Sequence, residues 1–333
     1  MTGERDLNGF TGYGKHVRTA APADQAEHEV QPIPFTREEL NELTLLDARW
    51  SWIEVDQSAI RYNAIAARKA IRPGCRLMAV VKADAYGHGA VPCANTALAS
   101  GADWLAVATV EEAVELRLAG LDAPLTVLAE PPVTSIPLLL AYHIEPSIYR
   151  PEFALAYAEV ADAHNMKAPF HLAINSGMNR IGVRAEEVVE FLRQISFHRA
   201  LEQVGTFTHF ATADCPERLD FDIQLRRFKD AVGSMRAAGF DPGIVHAANS
   251  AAIFRYPQAH FDMVRLGISL YGFHACAETR HLTTLKPAMS VYARITNVNT
   301  VPMSEGVSYG MHYRSPGSVK ICTVPLGYAD GLR

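Results

Sequence analysis

The sequence predicts an α/β fold in which eight parallel strands close into a (β/α)8 barrel, followed by a partial, mostly β C-terminal domain. Three observations lead to this prediction. Short apolar runs alternate with amphipathic helical stretches between about residues 78 and 266. These runs number eight, which is the count that closes such a barrel. After about residue 275, β-rich segments follow one another without a long helix between them.

The alternating residues 50–55 predict a leading strand, and Asp56 is expected to cap the helix that follows it. The predicted barrel strands are 78–82, 104–108, 125–129, 144–148, 170–174, 204–209, 244–247 and 263–266. The predicted helices between them include 110–118, 151–164, 185–194 and 221–238. An open doubly wound sheet is the competing architecture, although no GxGxxG fingerprint follows the first strand.

Three regions are expected along the chain. Residues 1–46 are polar, contain Pro22, Pro32 and Pro34 and have few large apolar residues, which predicts a flexible extension with a short helix beginning at Thr36. Residues 47–275 are expected to form the barrel domain with its leading strand, and residues 276–333 the partial β domain. A β domain of this length cannot close its own core, so it must pack on the barrel, pack on a partner chain or be incomplete.

The composition is that of a soluble globular protein, with 333 residues of which 49% are hydrophobic and 20% charged. A net charge of −5, spread along the chain, argues against a surface for nucleic acid or membrane. No apolar run reaches the ~18 residues of a membrane span. The 5 cysteines are scattered without a CxxC pair, so neither a zinc site nor a disulfide framework is indicated. Reduced thiols, a cytoplasmic location and no metal are the expectations.

The predicted strand ends carry polar side chains, and a barrel places its active site at the C-terminal ends of its strands. Almost all of these residues donate hydrogen bonds, and no cluster of carboxylates accompanies them, which argues against magnesium and against glycosidase chemistry. They suit an anionic, phosphate-bearing ligand, for which backbone N–H groups near Gly267 would be available. The residues are Lys82, Asn175, Ser176, Thr208, His209, Asn249, Ser250, Arg265, Gly267 and Ile268.

Each of these residues also has a purely structural interpretation. Lys82 could be a surface lysine, His209 a core histidine with its hydrogen bonds satisfied, and Arg265 a partner of Asp262. Asn249 and Ser250 could cap the next helix. Their joint occurrence at the strand ends favours a functional site over these separate explanations.

The string VKADAYGHG at residues 81–89 resembles the pyridoxal-phosphate lysine motif of the alanine racemase family. The resemblance extends from about Trp52 to Arg333, and several further motifs follow in the family's order. They lie at residues 205–214, 246–251, 262–272, 306–310 and 326–331. The family has an α/β barrel followed by a β domain, so the resemblance implies the same fold that the strand pattern predicts.

The resemblance implies a role for each motif residue. Lys82 would hold pyridoxal 5′-phosphate as a Schiff base and act as the base for one enantiomer of alanine. Tyr309, which alone would read as an ordinary strand tyrosine, would be the base for the other enantiomer and would enter the site from the second subunit of a homodimer. His209 and Arg265 would supply positive charge that assists Tyr309. The product, D-alanine, would serve peptidoglycan synthesis.

The remaining implied roles concern binding. Arg265 would meet the pyridine nitrogen, and Arg180 would lie beside the phenolic oxygen and the substrate carboxylate. The residues implied at the cofactor, most of them around its phosphate, are Tyr86, His209, Asn249, Ser250, Gly267 and Ile268.

The sequence departs from the family pattern in two places. Ala173 stands where the family often has a carbamylated lysine, and Asn175-Ser176 replace Asp-Thr. The carbamate is therefore absent, and we hypothesise that an anion such as chloride takes its place beside Arg180. The family's β domain also continues beyond the motif at 326–331, so weak activity and low stability are expected if the chain is the whole molecule.

These departures keep other functions open. Broad-specificity amino-acid racemases of the same fold carry a similar Ala-x-Asn-Ser pattern, so a broader substrate range is the first alternative. A pyridoxal-phosphate carrier protein with little catalysis is an alternative from a different class, although Tyr309 argues against it. A decarboxylase of the same barrel type is opposed by Arg265, because an arginine at the ring nitrogen leaves that nitrogen unprotonated.

Overall fold

A computed structural model describes residues 50–332 of the chain. The predicted N-terminal extension, residues 1–46 with the helix expected at Thr36, lies outside the described residues. The described chain begins with β1 (Ser51–Val55), which leads into α1 (Gln57–Ala70). The predicted cap is confirmed, because the Asp56 carboxylate accepts a hydrogen bond from the Ser58 N–H at 2.7 Å.

The predicted closed barrel is confirmed, since eight parallel strands pair side by side and the last of them pairs with the first. The pairing of Ser147 with His171 closes the ring, so the competing open sheet is wrong. The strands are β2 (Arg76–Val80), β3 (Trp104–Val107), β4 (Leu125–Val127), β5 (Glu145–Ile148), β6 (Ala168–Asn175), β7 (Val183–Arg184), β8 (Leu201–Phe207), β9 (Ile244–His246) and β10 (Met263–Leu266). The order around the barrel is β5-β4-β3-β2-β10-β9-β8-β6, and β6 pairs in turn with β5. The two-residue β7 is not a barrel strand; it pairs only with the end of β6.

The predicted strand boundaries are shifted by about two residues in several places, most informatively at β2. The apolar run continues through Val81, whose N–H still donates to the Ala106 carbonyl at 2.8 Å. The strand nevertheless ends at Val80, because the backbone turns left-handed from Ala83 onward. Lys82 therefore lies just beyond the strand, at the start of a turn.

Helices connect the strands and cover the outside of the barrel. They are α2 (Ala90–Ala99), α3 (Val110–Leu118), α4 (Ile136–Ala141), α5 (Pro151–Ala163), α6 (Val188–Ile195), α7 (Leu219–Ala237) and α8 (Ser250–Arg255). The predicted helix at 185–194 begins instead as the 3-10 turn Ala185–Glu187. The main apolar core lies between these helices and the strands, with Phe153, Tyr157 and Phe228 fully buried in it.

The barrel interior is a separate and smaller layer. Met78, Trp104 and Met263 pack together there. Two fully buried histidines, His171 and His246, share this space. Barrel interiors are usually filled by branched apolar side chains, so two imidazoles at this depth are unusual and need hydrogen-bond partners.

The C-terminal segment is β-rich, as the sequence predicts. Its strands are β11 (Met289–Ala293), β12 (Asn297–Val301), β13 (Gly306–Val307), β14 (Tyr313–Arg314) and β15 (Val319–Thr323). β11 pairs with β1, β12 with β15 and β13 with β14, all antiparallel. Between residues 289 and 332 only Ser315 is buried, so these strands enclose no core of their own. No helix among residues 50–332 is long and apolar enough to cross a membrane.

Candidate active site

A cavity of about 570 Å³ opens at the C-terminal ends of the barrel strands. Apolar side chains from several strands and loops, including Val80, Leu128 and Phe207, form part of its wall. Nine of the residues that the sequence proposes for the site also line it, whereas Asn175, Ser176, Thr208 and Tyr309 do not. The nine lining residues are Lys82, Tyr86, Arg180, His209, Asn249, Ser250, Arg265, Gly267 and Ile268.

The Lys82 amine is half-buried at this cavity. Desolvation lowers its pKa, and the charge of Arg180 lowers it further, while Glu112 acts in the opposite direction. A lower pKa raises the fraction of neutral amine, which is the nucleophilic form. Among the described residues, none accepts a hydrogen bond from the Lys82 Nζ atom.

Lys82 is followed by a left-handed turn, residues 83–86, in which four consecutive non-glycine residues have φ between 51° and 55°. For L-residues such a conformation costs roughly 1–2 kcal/mol per residue, so four in succession persist only where other contacts enforce them. The turn ends at Gly87, and Gly89 then precedes α2. The strain lies directly between Lys82 and Tyr86.

Glu112 holds the beginning of the left-handed turn. Its Oε1 atom accepts a hydrogen bond from the Ala83 N–H at 2.7 Å. Its Oε2 atom accepts from the Ala108 N–H at 2.8 Å and from the Thr109 N–H at 3.2 Å, which completes the capping box of α3. One carboxylate thus joins the turn after Lys82 to the end of β3.

Asp84 and His88 hold the end of the same turn. The Asp84 carboxylate accepts from the Ala90 N–H at 2.6 Å. The His88 Nδ1 atom lies 3.0 Å from the Ala85 carbonyl and 3.1 Å from the Tyr86 carbonyl. Because carbonyl oxygens only accept, we assign the proton of this imidazole to Nδ1.

The far side of the cavity is formed by Ser250, Gly267 and Tyr86. The Ser250 hydroxyl accepts from the Gly267 N–H at 3.0 Å and from the Ser269 N–H at 3.3 Å. The Gly267 N–H itself is therefore occupied by the Ser250 side chain, and the expectation of available N–H groups in this region now concerns the adjacent Ile268. A Cβ at Gly267 would lie 3.4 Å from the Tyr86 hydroxyl and 3.7 Å from the Ser250 hydroxyl, so glycine keeps the space between these two groups open.

The side chain of the neighbouring Asn249 hydrogen-bonds to the backbone. Its Oδ1 atom accepts from the Ala252 N–H at 3.1 Å and caps α8, in agreement with the structural interpretation of this residue. Asn175 likewise accepts from the N–H groups of Gly177 and Asn179, at 3.0 Å each. Capping and loop closure therefore account for the contacts of both asparagines, although Asn249 also lines the cavity.

Ser176 and Thr208 do not line the cavity, although they follow or end predicted strands. Their hydroxyls lie 2.7 Å apart, and Thr208 also donates to the Ile174 carbonyl at 2.8 Å. Both residues are buried and hold β6 beside the end of β8. The expectation that they face a ligand is wrong.

Arg265 is buried in β10, and among residues 50–332 no carboxylate pairs with it. It donates to the Thr208 carbonyl at 2.6 Å and to the Ala247 carbonyl at 3.0 Å. The anticipated alternative pairing with Asp262 is wrong, because the Asp262 carboxylate accepts from the Val245 N–H instead. Desolvation lowers the pKa of Arg265 to about 9, so the guanidinium remains charged at neutral pH.

His209 is neutral, contrary to the expectation that it supplies positive charge. Burial lowers its pKa to about 3, and the charges of Arg265, Arg180 and Lys82 act in the same direction. Its Nδ1 atom lies 3.2 Å from the Arg265 Nη2 atom. The guanidinium can only donate, so Nδ1 accepts and the imidazole proton is on Nε2.

Arg180 lies on an exposed loop at the cavity, and among the described residues it has no hydrogen-bond partner. The nearby strand β6 carries Ala173, which is 2% exposed. The loop passes close to that strand at Gly182, where a Cβ would lie 3.1 Å from the Ala173 carbonyl and 2.6 Å from the Asn175 nitrogen. Glycine at 182 is therefore needed for the approach that brings the Arg180 loop to the rim.

Tyr309 does not join the other residues. Its side chain is 98% exposed and lies outside the cavity of its own chain. The surrounding C-terminal segment also exposes large apolar side chains. These include Val291, Tyr292, Ile295, Val298, Met303, Met311, Tyr313 and Val324.

Sequence reasoning missed the groups that support the site. Glu112, Asp84 and His88 hold the left-handed turn, and His171 and His246 lie beneath Arg265 in the barrel. The spacing of Thr109 and Glu112 does carry the signal of a capping box. Nothing in that spacing shows that the second carboxylate oxygen reaches the backbone next to Lys82.

The fold and the cavity together define a class of protein: a (β/α)8-barrel enzyme with a lysine amine and a buried arginine at the C-terminal rim. Two family models match the chain, the N-terminal domain of alanine racemase at residues 55–275 and the C-terminal domain of alanine racemase at residues 288–333. The chain belongs to the alanine racemase family, a family of isomerases.

Individual relatives agree with this assignment. The chain is 37% identical over 285 residues to an alanine racemase of Nostoc sp., covering 85% of this chain and 74% of that protein. It is 41% identical over 281 residues to an alanine racemase of Carboxydothermus hydrogenoformans, covering 84% of this chain and 76% of the relative.

Solved structures show the same architecture. Alanine racemase from Bacillus anthracis with bound L-Ala-P superimposes with a TM-score of 0.80 at 37% identity, over 85% of this chain and 74% of that one. A histidine racemase from Leuconostoc mesenteroides superimposes with a TM-score of 0.77 at 29% identity, over 85% of this chain and 76% of that one.

Proposed function

We propose that this protein is an alanine racemase that interconverts L-alanine and D-alanine with pyridoxal 5′-phosphate. The observation that carries the proposal is the presence, in one cavity, of the Lys82 amine of lowered pKa and the Arg265 guanidinium, with which no carboxylate of residues 50–332 pairs directly. The match of both domains to the alanine racemase family supports it.

The residues present suit pyridoxal phosphate. Lys82 supplies the amine that forms a covalent link to an aldehyde. Gly267 leaves open the space between the hydroxyls of Tyr86 and Ser250, which can donate to a phosphate group. When bound, the cofactor supplies the electron sink that makes the Cα–H bond of an amino acid acidic.

Arg265 would face the ring nitrogen of the cofactor. A guanidinium donates hydrogen bonds and accepts none, so the opposite nitrogen must remain an unprotonated acceptor. An unprotonated ring withdraws electrons less strongly than a pyridinium, which disfavours transamination and decarboxylation. The two carbonyl bonds to Thr208 and Ala247 fix the guanidinium in place for this role.

Racemisation requires a proton to leave one face of Cα and another to arrive at the opposite face. Lys82 Nζ would take or give the proton on one face and Tyr309 Oη on the other. Tyr309 lies outside its own cavity, so we propose that it acts in the cavity of a second copy within a homodimer. The exposed apolar side chains of the C-terminal segment support such an interface.

Arg180 would bind the substrate carboxylate. It stands at the rim without a partner among the described residues, and its charge already lowers the pKa of Lys82. A substrate carboxylate at Arg180 would weaken that electrostatic effect of Arg180 on Lys82.

The cysteines support a cytoplasmic location. All five thiols are free, and Cys75 and Cys93 are buried. In the cytoplasm, the product D-alanine would serve peptidoglycan synthesis.

A broader amino-acid racemase is the second candidate. The small, buried Ala173 beside the Arg180 loop favours it, because it leaves Arg180 without a side-chain partner from β6. The structural similarity to a histidine racemase shows that this fold also occurs in a racemase named for a larger substrate.

The proposal is tested by incubating the protein and pyridoxal phosphate with L-alanine, L-serine or L-lysine in deuterated water. Deuterium at Cα and formation of the D-isomer are followed together, and visible absorbance reports attachment of the cofactor to Lys82. We expect attachment, exchange and inversion with alanine, and much slower inversion with lysine. Comparable rates with all three would favour the broad-specificity candidate, and absence of the absorbance band would overturn the proposal.

A Tyr309→Phe variant sharpens the test. Because its side chain is 98% exposed, the change should leave folding and cofactor attachment intact. We expect inversion to fall roughly 10²–10⁴-fold while exchange from the Lys82 face persists for one enantiomer. The matched control is Tyr62→Phe, on the outer helix α1. Equal inversion rates in the two variants would remove Tyr309 as the second base.

A further inference from the structure

Beneath Arg265, a row of hydrogen-bonded side chains runs through the barrel interior. Arg265 Nη1 lies 3.0 Å from His246 Nδ1, and His246 Nε2 lies 3.0 Å from His171 Nδ1. His171 Nε2 lies 3.0 Å from the Glu145 Oε2 atom. We call these four residues the polar row. It begins at the cavity and ends at Glu145, the first residue of β5.

The donors in the polar row can point in one direction only. Burial and the adjacent Arg265 charge lower the pKa of His246 well below its usual value, so this imidazole carries a single proton. Arg265 can only donate, so His246 Nδ1 accepts and the proton is on Nε2. His246 then donates to His171 Nδ1, which leaves the His171 proton on Nε2, where it meets the Glu145 carboxylate.

Besides His171, Glu145 meets a hydroxyl group and, without a hydrogen bond, the charge of Arg117. Its Oε2 atom also accepts from the Thr126 hydroxyl at 3.2 Å, and Thr126 accepts from Trp104 Nε1 at 2.8 Å. Arg117 of α3 approaches Glu145, but its donors are directed to backbone carbonyls, including those of Tyr142 and Leu121.

Two further groups face the row without changing its net charge. Tyr157 of α5 lies near Glu145, and burial together with the charge of Glu145 raises the pKa of this phenol, so it is neutral. At the other end, Phe207 lies under the Arg265 guanidinium, with its ring centroid 5.3 Å from Cζ. His209, the last polar neighbour of Arg265, is neutral as well.

We propose that Glu145 is the counter-charge of Arg265, acting through two neutral imidazoles that transmit the polarisation from the carboxylate to the guanidinium. Glu145, His171 and His246 are therefore positioning residues for Arg265. The charge of a buried arginine needs a compensating charge nearby. The polar row supplies it from Glu145, so no carboxylate has to lie at the rim beside the ring nitrogen. The consequence for catalysis rests on the proposed function; the charge coupling does not.

The first test is made on the full-length protein without added cofactor, so it is independent of the proposed function. Long-range ¹H–¹⁵N spectra at neutral pH report the protonation of each imidazole nitrogen, with assignments from His171→Asn and His246→Asn. We expect both rings to carry a proton on Nε2 and none on Nδ1. A proton on Nδ1 of either ring would overturn the row.

The second test follows the ¹³Cζ signal of Arg265 through alkaline pH in wild type, Glu145→Gln and Glu115→Gln. Glutamine can still accept from His171 but lacks the charge, so we expect the loss of the Arg265 proton to begin about one pH unit lower. Glu115→Gln removes the same charge from the exposed face of α3 and should match wild type. Equal midpoints in wild type and Glu145→Gln would overturn the counter-charge role.

The two proposals fail in different ways. If wild type forms no absorbance band with pyridoxal phosphate, the proposed function fails while both spectra still decide the polar row. If the band forms but Glu145→Gln behaves as wild type, only the polar row fails. If both hold, the alkaline limb of kcat/KM should move to lower pH in Glu145→Gln by the same amount as the Arg265 signal.

Discussion

The two sides of the cavity hold their basic groups by opposite means. Lys82 precedes a left-handed turn, where the carboxylates of Glu112 and Asp84 and the imidazole of His88 hold a strained backbone. Arg265 lies within a regular strand and is fixed by carbonyls and the polar row. The amine must remain able to change its bonding partner during reaction, whereas the guanidinium must keep both its place and its proton. The position of Lys82 therefore depends on a few side-chain hydrogen bonds to the turn, whereas the position of Arg265 depends on burial within a strand.

The largest effect is expected at Lys82 itself. Lys82→Ala removes the covalent attachment and one base, so racemisation should fall by at least roughly 10²–10⁴-fold and the absorbance band of the attached cofactor should disappear. Lys69→Ala, at the exposed end of α1, should retain both. A band that survives in Lys82→Ala would mean that another amine carries the cofactor.

The next largest effect is expected at Glu112. In Glu112→Gln the amide nitrogen replaces one oxygen that now accepts from backbone N–H groups, so two donors would face each other. We expect a loss of about 1–2 kcal/mol in the free energy of unfolding and weaker cofactor binding, measured by urea unfolding and absorbance titration. The exposed neighbour in Glu111→Gln is the matched control. If the two variants behave alike, the turn is held by other contacts.

His209, the neighbour of Arg265, gives a prediction for how the free energy of unfolding depends on pH. The folded protein keeps this imidazole neutral down to a pKa of about 3, whereas the unfolded chain binds a proton near 6.5. Unfolding therefore takes up a proton between these values, and the free energy of unfolding falls as pH decreases from 6.5 toward 3. His209→Asn should reduce this slope by up to ~1.4 kcal/mol per pH unit, measured by urea unfolding. An unchanged slope would mean that His209 is protonated in the fold.

The smallest effect concerns the left-handed backbone alone. Ala83 is exposed and has a φ of 52°, so Ala83→Gly relieves strain while adding flexibility to the unfolded chain. We expect a net gain of about 0.5–1 kcal/mol in the free energy of unfolding. Ala99→Gly, in the right-handed helix α2, should lose a similar amount. A change of the same sign in the free energy of unfolding of both variants would contradict the proposal that the backbone at Ala83 is strained.

The sequence predicts one side of the cavity better than the other. Buried parallel strands are short apolar runs, so all eight barrel strands and the closed sheet follow from the pattern. Arg265 falls inside such a run and is correctly expected in a strand. The left-handed turn could not be predicted, because Ala, Asp, Ala and Tyr do not favour that conformation and Glu112, which helps to hold it, lies 29 residues away from Ala83.

The roles of individual polar residues also depend on register, which the sequence does not show. His171 and His246 face into the barrel because of their positions on β6 and β9, and they become partners across 75 residues. Ser176 and Thr208 sit at strand ends, as expected, yet bond to each other. The family resemblance names the residues at the rim, while the groups that hold those residues follow only from three-dimensional contacts.

The left-handed turn has a consequence for the order of folding. No local preference favours residues 83–86 in this conformation, and Glu112, which fixes Ala83, becomes available only after β3 and α3 have docked beside β2. The turn should therefore be absent from the folding transition state and form after the barrel wall. Substitution of Glu112 should then accelerate unfolding with little change in the folding rate, which stopped-flow kinetics would measure.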